Sequence, residues 1–220
     1  MNEVVDVLTR HGTARWYVDE PAGRAVGDFA MGHGAGGGVS SPDVVMLAAT
    51  MVAAGFRVGR LEQPWRVSGR RIAAQPAQLD EAWCDAMPRF VSGSMPLLVG
   101  GRSAGARVAC RTAVELGATG VVALAFPLHP PGKPDRSRMI EIPSSIPVLA
   151  IQGDRDVFGT ADEVVEAAAG LPRLTVLAVT GADHSLRVRW RGPITQGEAD
   201  EILAIAARRW AFRAVRGNHR

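Results

Sequence analysis

Short, uninterrupted apolar runs recur along the chain, and stretches with helical periodicity separate them; this alternation limits the fold more than any other feature. The segments 121–126 and 147–152 are such runs. Both are too short for a buried helix and have the continuous apolar character of strands that are covered on both faces. The alternation predicts an α/β fold with a mostly parallel sheet and helices on both faces.

The other predicted elements follow the same alternation. Further strands are predicted at 16–18, 25–31, 56–61, 96–100 and 174–179. Ser41 and Pro42 are typical of a helix start, and Gly55 of the stop that follows. The other predicted helices cover 78–90, 104–116, 161–169 and 198–212. Pro88 predicts a possible break in the first of these, and the last should place Ile202, Ala206 and Trp210 on one face.

Composition limits the class of protein. Apolar residues make up 47% of the 220 positions, which is enough for one sizeable core and predicts a single domain over residues 1–220. A net charge of +3 with 21% charged residues excludes a disordered polyelectrolyte. Lys133 is the single lysine, and this arginine bias is typical of a GC-rich bacterial genome. The basic C-terminal helix has an acidic start, so its charges complement the helix dipole and do not indicate a nucleic-acid partner.

The sequence also indicates where the protein resides and which groups it lacks. Its N-terminus is acidic where a secretory signal would be basic, and no apolar run reaches the roughly 18 residues of a membrane span. We therefore expect a cytoplasmic protein with no membrane partner. Cys84 and Cys110 form no metal-type pair, and the histidines lack zinc-site spacing, so we expect no metal and no cofactor.

The strongest motif is a G-x-S-x-G pattern between a predicted strand and a predicted helix, Gly101-Arg102-Ser103-Ala104-Gly105. A sharp strand-to-helix turn holds such a serine in a strained backbone conformation and exposes its Oγ above the sheet. Any Cβ at the two glycines should clash with the neighbouring strand and helix. The pattern therefore predicts Ser103 as a nucleophile, the alternative being a glycine-lined packing turn.

A serine nucleophile needs a base and an acid that orients the base. His184 directly follows the last predicted strand, where the base is expected, whereas His129 lies in a Pro-rich loop and His219 in the terminal tail. Asp154 and Asp156 both follow the preceding strand. We predict Asp156 as the orienting acid, since it lies past the glycine turn, and Asp154 as a turn-forming residue. Asp183 is a weaker candidate because it is adjacent to His184.

The glycine cluster 32–38 has two interpretations. It fits G-x-G-x-x-G, and Glu62 follows at a spacing near that of a dinucleotide-binding site. However, the helix start at Ser41-Pro42 leaves the third glycine outside the helix. The alternative is an H-G-x-G-G loop, in which the backbone N–H groups of Ala35 and Ala104 face a developing oxyanion. We favour the second interpretation because it accounts for the other motifs as well.

With these residues the sequence resembles the α/β-hydrolase superfamily over nearly its whole length. More narrowly, it is similar to the small, lid-less family related to dienelactone hydrolases that includes testis-expressed and nonspecific-lethal-complex proteins. The similar segments are 33–38 with 41–42, 100–103, 126–134, 152–156 with 158–159, and 183–185. The resemblance implies a single-domain hydrolase fold with a Ser-His-Asp site. It also implies that some eukaryotic relatives act as subunits of complexes.

The sequence therefore predicts a serine hydrolase that acts on a small acyl substrate, with Arg102 and His129 near the substrate. About 20 residues separate the strand that ends at Phe126 from Pro147, and their prolines leave no room for a large helical lid. Two alternatives remain at this stage: a hydrolase-fold interaction protein with a vestigial site, and a dinucleotide-binding oxidoreductase.

Overall fold

A single eight-stranded sheet organises the chain in the structure, a computed structural model that describes residues 3–217. The strands are β1 (Glu3–Thr9), β2 (Gly12–Asp19), β3 (Asp28–Gly32), β4 (Arg57–Glu62), β5 (Leu97–Arg102), β6 (Gly120–Leu124), β7 (Val148–Gly153) and β8 (Leu174–Val179). Their order is β1-β2-β4-β3-β5-β6-β7-β8. The strands from β3 to β8 are parallel to one another, and the β1–β2 hairpin adds an antiparallel edge.

Helices cover both faces of the sheet. They are α1 (Pro42–Ala53), α2 (Pro64–Val67), α3 (Pro76–Phe90), α4 (Ala104–Thr112), α5 (Ala161–Ala167) and α6 (Gln196–Arg216). One core cluster joins α3 and α4 to the sheet through Trp83 and Ala109, and a second joins α1 and α6 through Leu47 and Ala207. The predicted α/β fold with helices on both faces is confirmed.

The N-terminal strand and the C-terminal helix differ from expectation. Strand β1 was not predicted, because it lies at the sheet edge with a partly exposed alternating pattern instead of a buried apolar run. The predicted stripe of α6 is not its most buried face: Ile202 is 42% exposed, whereas Ala199, Ala207 and Ala211 are buried. The small residues on this face let α6 pack closely against α1 and the sheet, and Leu203 and Val215 are buried there as well.

Local backbone chemistry explains two further differences. Pro88 does not break α3, because it stands in the last turn and buried Met87 and Phe90 hold that turn in the core. Ser41 does precede α1, but its Oγ accepts a hydrogen bond from Gly38 N at 3.2 Å and makes no capping bond into the helix. Its hydroxyl stabilises the preceding glycine loop instead.

The segment 125–147 has no long helix and forms no large lid. It contains a single 3₁₀ turn, Met139–Glu141, which Glu141 fixes to α4 by ion pairs with Arg107 and Arg111. The loops that follow β3, β5, β7 and β8 remain uncovered at the carboxyl edge of the sheet, where parallel α/β sheets place their sites. Within the described residues, no helix combines the length and apolarity needed to cross a membrane. His219 and Arg220 lie outside the described residues.

Candidate active site

The turn between β5 and α4 holds Ser103 in a strained conformation. Ser103 has φ 54° and ψ −110°, and residues other than glycine rarely adopt such a positive φ. Its backbone N–H donates to the carbonyl of Leu124 at 2.9 Å, which joins the turn to the neighbouring strand β6. The strained turn predicted from the motif is therefore present.

The two motif glycines are required because of close backbone approach. A Cβ on Gly101 would lie 2.6 Å from the carbonyl oxygen of Gly32 in β3, and one on Gly105 would lie 2.4 Å from that same oxygen. Real Cβ atoms do not approach backbone so closely, and neither strand nor helix can move without disturbing the other. The predicted clashes with strand and helix are confirmed.

His184 connects Ser103 to a buried carboxylate. The Oγ of Ser103 lies 2.9 Å from His184 Nε2, and His184 Nδ1 lies 2.8 Å from Asp156 Oδ2. Asp156 is 1% exposed, and the His184 side chain is 16% exposed, so the base borders solvent while the acid does not. The structure thus brings the three predicted residues into one hydrogen-bonded chain.

The two other carboxylates in these loops have different partners. Asp154 Oδ1 accepts from Gly181 N at 2.8 Å, which joins the loop after β7 to the loop after β8. Asp183 Oδ1 accepts from the backbone N–H groups of Ser185 and Arg187, within its own turn. Only Asp156, of these three, lies beside the imidazole in the described structure.

The glycine loop after β3 lies against the Ser103 turn. A Cβ on Gly34 would be 3.4 Å from Ser103 Cβ, and one small cavity is lined by both Ala35 and Ala104. Among the described residues, neither the Ala35 nor the Ala104 backbone N–H donates to another residue. Their role as donors to an oxyanion remains a prediction.

His33 holds the start of this loop. Its Nε2 accepts from Gln63 N at 3.2 Å, so the proton is on Nδ1, which lies 2.8 Å from the Gly34 carbonyl oxygen. Burial lowers the pKa of His33 and keeps the ring neutral, which suits an acceptor nitrogen. His33 therefore joins the glycine loop to the end of β4.

The geometry does not favour the dinucleotide interpretation of the loop. Gly37 lies before the Ser41 position that precedes α1, so the third glycine of the pattern is not packed inside the helix. Glu62, the candidate ribose ligand, accepts a hydrogen bond from the Tyr17 hydroxyl at 3.1 Å.

Arg102 is bonded to protein groups on two sides. Its Nε lies 3.2 Å from Asp43 Oδ2, and its Nη2 donates to the His184 carbonyl at 3.0 Å and to Ser185 Oγ at 3.2 Å. The guanidinium therefore joins the Ser103 turn to α1 and to the His184 loop. It also lines a cleft of about 670 Å³ between these loops and α6, so its contact with substrate remains a prediction.

His129 lies apart from the Ser103–His184 pair. Its side chain is buried, with Nδ1 3.0 Å from the Pro130 carbonyl and Nε2 3.4 Å from Glu163 Oε1. It lines neither the large cleft nor the small cavity beside the glycine loop, as far as residues 3–217 define them. The position of His129 supports a role in holding the Pro-rich loop and gives no support to the predicted substrate contact.

Neither cysteine competes with Ser103 as a nucleophile. Burial raises the pKa of the Cys84 thiol to about 11 and that of Cys110 to about 12. Thiols with such pKa values are protonated at neutral pH and are poor nucleophiles.

Comparison with known families decides the family of this chain. The family model described as "Alpha/beta hydrolase domain" matches residues 26–212. The chain belongs to the α/β-hydrolase family. A search of the curated proteins finds no match to it.

Solved structures with the same fold cover almost all of this α/β-hydrolase. XC6422 from Xanthomonas campestris, an α/β serine hydrolase without lid, is 20% identical with a TM-score of 0.73, over 95% of this chain and 94% of that one. Est1E from Butyrivibrio proteoclasticus is 12% identical with a TM-score of 0.74, over 96% and 98% of the two chains. A thermostable carboxyl esterase from Bacillus coagulans is 11% identical with a TM-score of 0.72, over 97% and 99%. At these identities the likeness concerns the fold alone.

Two residues that support the site of this α/β-hydrolase were missed as functional residues. Gln152 is fully buried, and its Nε2 donates to Asp156 Oδ2 at 2.9 Å. Phe158 donates its backbone N–H to Asp156 Oδ1 at 2.8 Å and packs its ring 4.2 Å from that of His184. Both lie in segments that carry the family resemblance, but residue type alone does not distinguish a carboxylate partner from a core residue.

Proposed function

We propose that this α/β-hydrolase is a serine hydrolase that cleaves carboxylic esters or related acyl compounds. The observation that carries the proposal is the hydrogen-bonded chain from Ser103 Oγ through His184 to Asp156, at 2.9 and 2.8 Å. We also propose that, within the family, the chain belongs to the small lid-less group that includes testis-expressed and nonspecific-lethal-complex proteins.

The first half of the proposed reaction forms an acyl-enzyme. Ser103 Oγ attacks the acyl carbon while its proton passes to His184 Nε2, and Asp156 stabilises the imidazolium through Nδ1–H. The carbonyl oxygen becomes an oxyanion that accepts hydrogen bonds from the Ala35 and Ala104 N–H groups. The bond to the leaving group then breaks, and the leaving oxygen takes the proton from Nε2.

The second half returns the enzyme to its starting state. His184 removes a proton from a water molecule, whose oxygen attacks the acyl carbon of the acyl-enzyme. The carboxylic acid departs as Ser103 Oγ recovers the proton from Nε2. Asp156 keeps the same tautomer of His184 available for both halves.

Covalent labelling tests the proposal most directly. A fluorophosphonate should add one probe mass to the protein, observed by intact-mass spectrometry, and Ser103→Ala should abolish the addition. The matched control is Ser185→Ala, because Ser185 lies beside the site but makes no contact with His184 Nε2. Labelling that survives in Ser103→Ala would exclude Ser103 as the nucleophile. An unlabelled wild-type protein would favour a vestigial site.

We further expect short acyl chains to be preferred. The segment 125–147 forms no roof, and the cavity beside Ala35 and Ala104 is small, about 10 Å³ for the centre of a water-sized group. In a deep tunnel each buried methylene would strengthen binding by about 0.8 kcal/mol, and kcat/KM would keep rising with chain length. Because the described residues form no such tunnel, the rise in kcat/KM should stop by about four to six carbons. The measurement is a matched series of straight-chain esters from two to twelve carbons. A steady rise to twelve would reveal a buried channel.

A further inference from the structure

The small cavity beside the glycine loop is lined mostly by apolar side chains, yet two of its residues carry unpartnered polar atoms. Trp65, Leu79 and Val108 contribute apolar walls. Gln63 Oε1 and Trp83 Nε1 are buried, and neither has a hydrogen-bond partner in the described structure. Gln63 is 5% exposed and Trp83 0%, so bulk water does not solvate them. A buried polar atom without a partner is costly, which indicates that something else satisfies this pair.

The identity of the free atom on Gln63 follows from its neighbours. Gln63 Nε2 donates to the Leu79 carbonyl at 3.1 Å. The reverse orientation would set Oε1 against that carbonyl oxygen, acceptor against acceptor. The cavity is therefore lined by a residue with a free acceptor, Gln63, and a residue with a free donor, the Trp83 indole N–H.

This inference rests on the proposed function, which places an acyl carbonyl oxygen at the N–H groups of Ala35 and Ala104. Both residues line the same cavity as Gln63 and Trp83. On the proposed geometry the substituent on the acyl carbon extends toward this cavity, whose lining includes Ala35 and Ala104 but neither Ser103 nor His184. The remaining space, about 10 Å³ for the centre of a water-sized group, suits one small group and excludes a long alkyl chain.

We propose that this cavity selects short acyl groups that end in a hydroxyl, such as glycolyl or 3-hydroxypropionyl. A hydroxyl accepts one hydrogen bond and donates another, so it matches an indole N–H donor and an amide acceptor together. A methyl group of similar size leaves both protein atoms unpaired. Sites built to hydrogen-bond a substrate hydroxyl discriminate strongly against analogues that lack it.

Two isosteric pairs of phenyl esters test the proposal: glycolate against propionate, and 3-hydroxypropionate against butyrate. Each kcat/KM is divided by the rate constant for hydroxide hydrolysis of the same ester, which removes the difference in intrinsic reactivity. In at least one pair the hydroxy ester should be preferred by roughly 10- to 100-fold, since two hydrogen bonds are gained. Trp83→Phe and Gln63→Met should each reduce this preference about tenfold, where the preference is the ratio of the corrected kcat/KM values for the hydroxy and alkyl esters in the same variant.

The matched control is Trp210→Phe, which also removes an indole N–H but lies in the core cluster on the other face of the sheet. It should keep the full preference. Two variants are used because either could impair folding, which circular dichroism and thermal unfolding will show. Equal corrected rates within both pairs in the wild type would overturn the proposal and leave the two atoms to an ordered water. A preference that survives in both folded variants would also overturn it.

Failure of the proposed function gives a different result. In that case Ser103 is not labelled and no ester, alkyl or hydroxy, is hydrolysed. The cavity is then tested without turnover by the shift in unfolding temperature that glycolamide and propionamide produce in the wild type and in Trp83→Phe. A larger shift with glycolamide, lost in the variant, would support the hydroxyl site, and equal shifts would overturn it.

Discussion

Asp156→Asn should lower kcat by about four orders of magnitude, as the loss of the orienting acid does in Ser-His-Asp enzymes. Asp156 Oδ2 accepts from both His184 Nδ1 and Gln152 Nε2, while Oδ1 accepts from Phe158 N. In either orientation, an asparagine amide sets its NH₂ against at least one of these donors. It also carries no charge to stabilise the imidazolium. Steady-state ester hydrolysis measures the effect.

Asp154→Asn is the matched control, because it makes the same chemical change two residues earlier. Asp154 Oδ1 holds Gly181 N at 2.8 Å and does not contact His184. Asparagine keeps an oxygen that can accept from Gly181 N, so the change should lower the free energy of unfolding, measured with urea, by no more than about 1–2 kcal/mol and leave kcat near that of the wild type. An inactive Asp154→Asn beside an active Asp156→Asn would require the two roles to be exchanged.

The sequence indicates where the site lies because the serine turn requires backbone conformations and close approaches that few residue types allow. The need for glycine at 101 and 105 follows from the motif, since a Cβ added at either position would clash with neighbouring backbone. The position of His184 also follows from the sequence, because parallel strands bring the loops at their carboxyl ends together. Such constraints act over a few residues or follow from the order of strands.

Other features depend on packing between distant segments, which a single sequence does not reveal. The contact of Arg102 with substrate stays a prediction, whereas its partners Asp43 in α1 and Ser185 after β8 did not follow from the sequence. His129 was expected near the substrate, but it is buried, with Phe158 of the loop after β7 and Glu163 of α5 as its neighbours. The most buried face of α6 does not follow from the sequence for a related reason: which face of a helix is buried depends on how closely its neighbour approaches.

The connection between the small cavity and the proposed oxyanion hole shows how one set of contacts serves two purposes. His33 bonds the Gln63 backbone and the glycine loop together, so the N–H groups for the oxyanion and the amide of Gln63 belong to one rigid unit. The proton transfers at His184 depend on its contacts with Ser103 and Asp156, which lie outside this unit. A substitution that lines the cavity should therefore affect acyl selectivity more than these proton transfers.

His184→Ala should reduce kcat at least about a thousandfold and should also slow labelling of Ser103, because the hydroxyl loses its base. The wild-type rate should fall toward low pH, since a protonated His184 ring cannot accept the Ser103 proton. The residual activity of His184→Ala should lack this acid limb. Ester hydrolysis followed between pH 5 and 9 measures both effects.

His11→Gln is the control for this prediction, because His11 lies on the β1–β2 turn beside Glu81 and makes no hydrogen bond to Ser103, His184 or Asp156 in the described structure. It should keep both the rate and the acid limb. If the acid limb persists in His184→Ala, another group must titrate in the reaction, and His129 is then the next residue to replace. If the wild-type profile is flat from pH 5 to 8 while the chemical step limits the rate, His184 does not act as the base. Because Ser103 Oγ lies 2.9 Å from Nε2, loss of the limb together with loss of labelling would place the missing proton transfer at that contact.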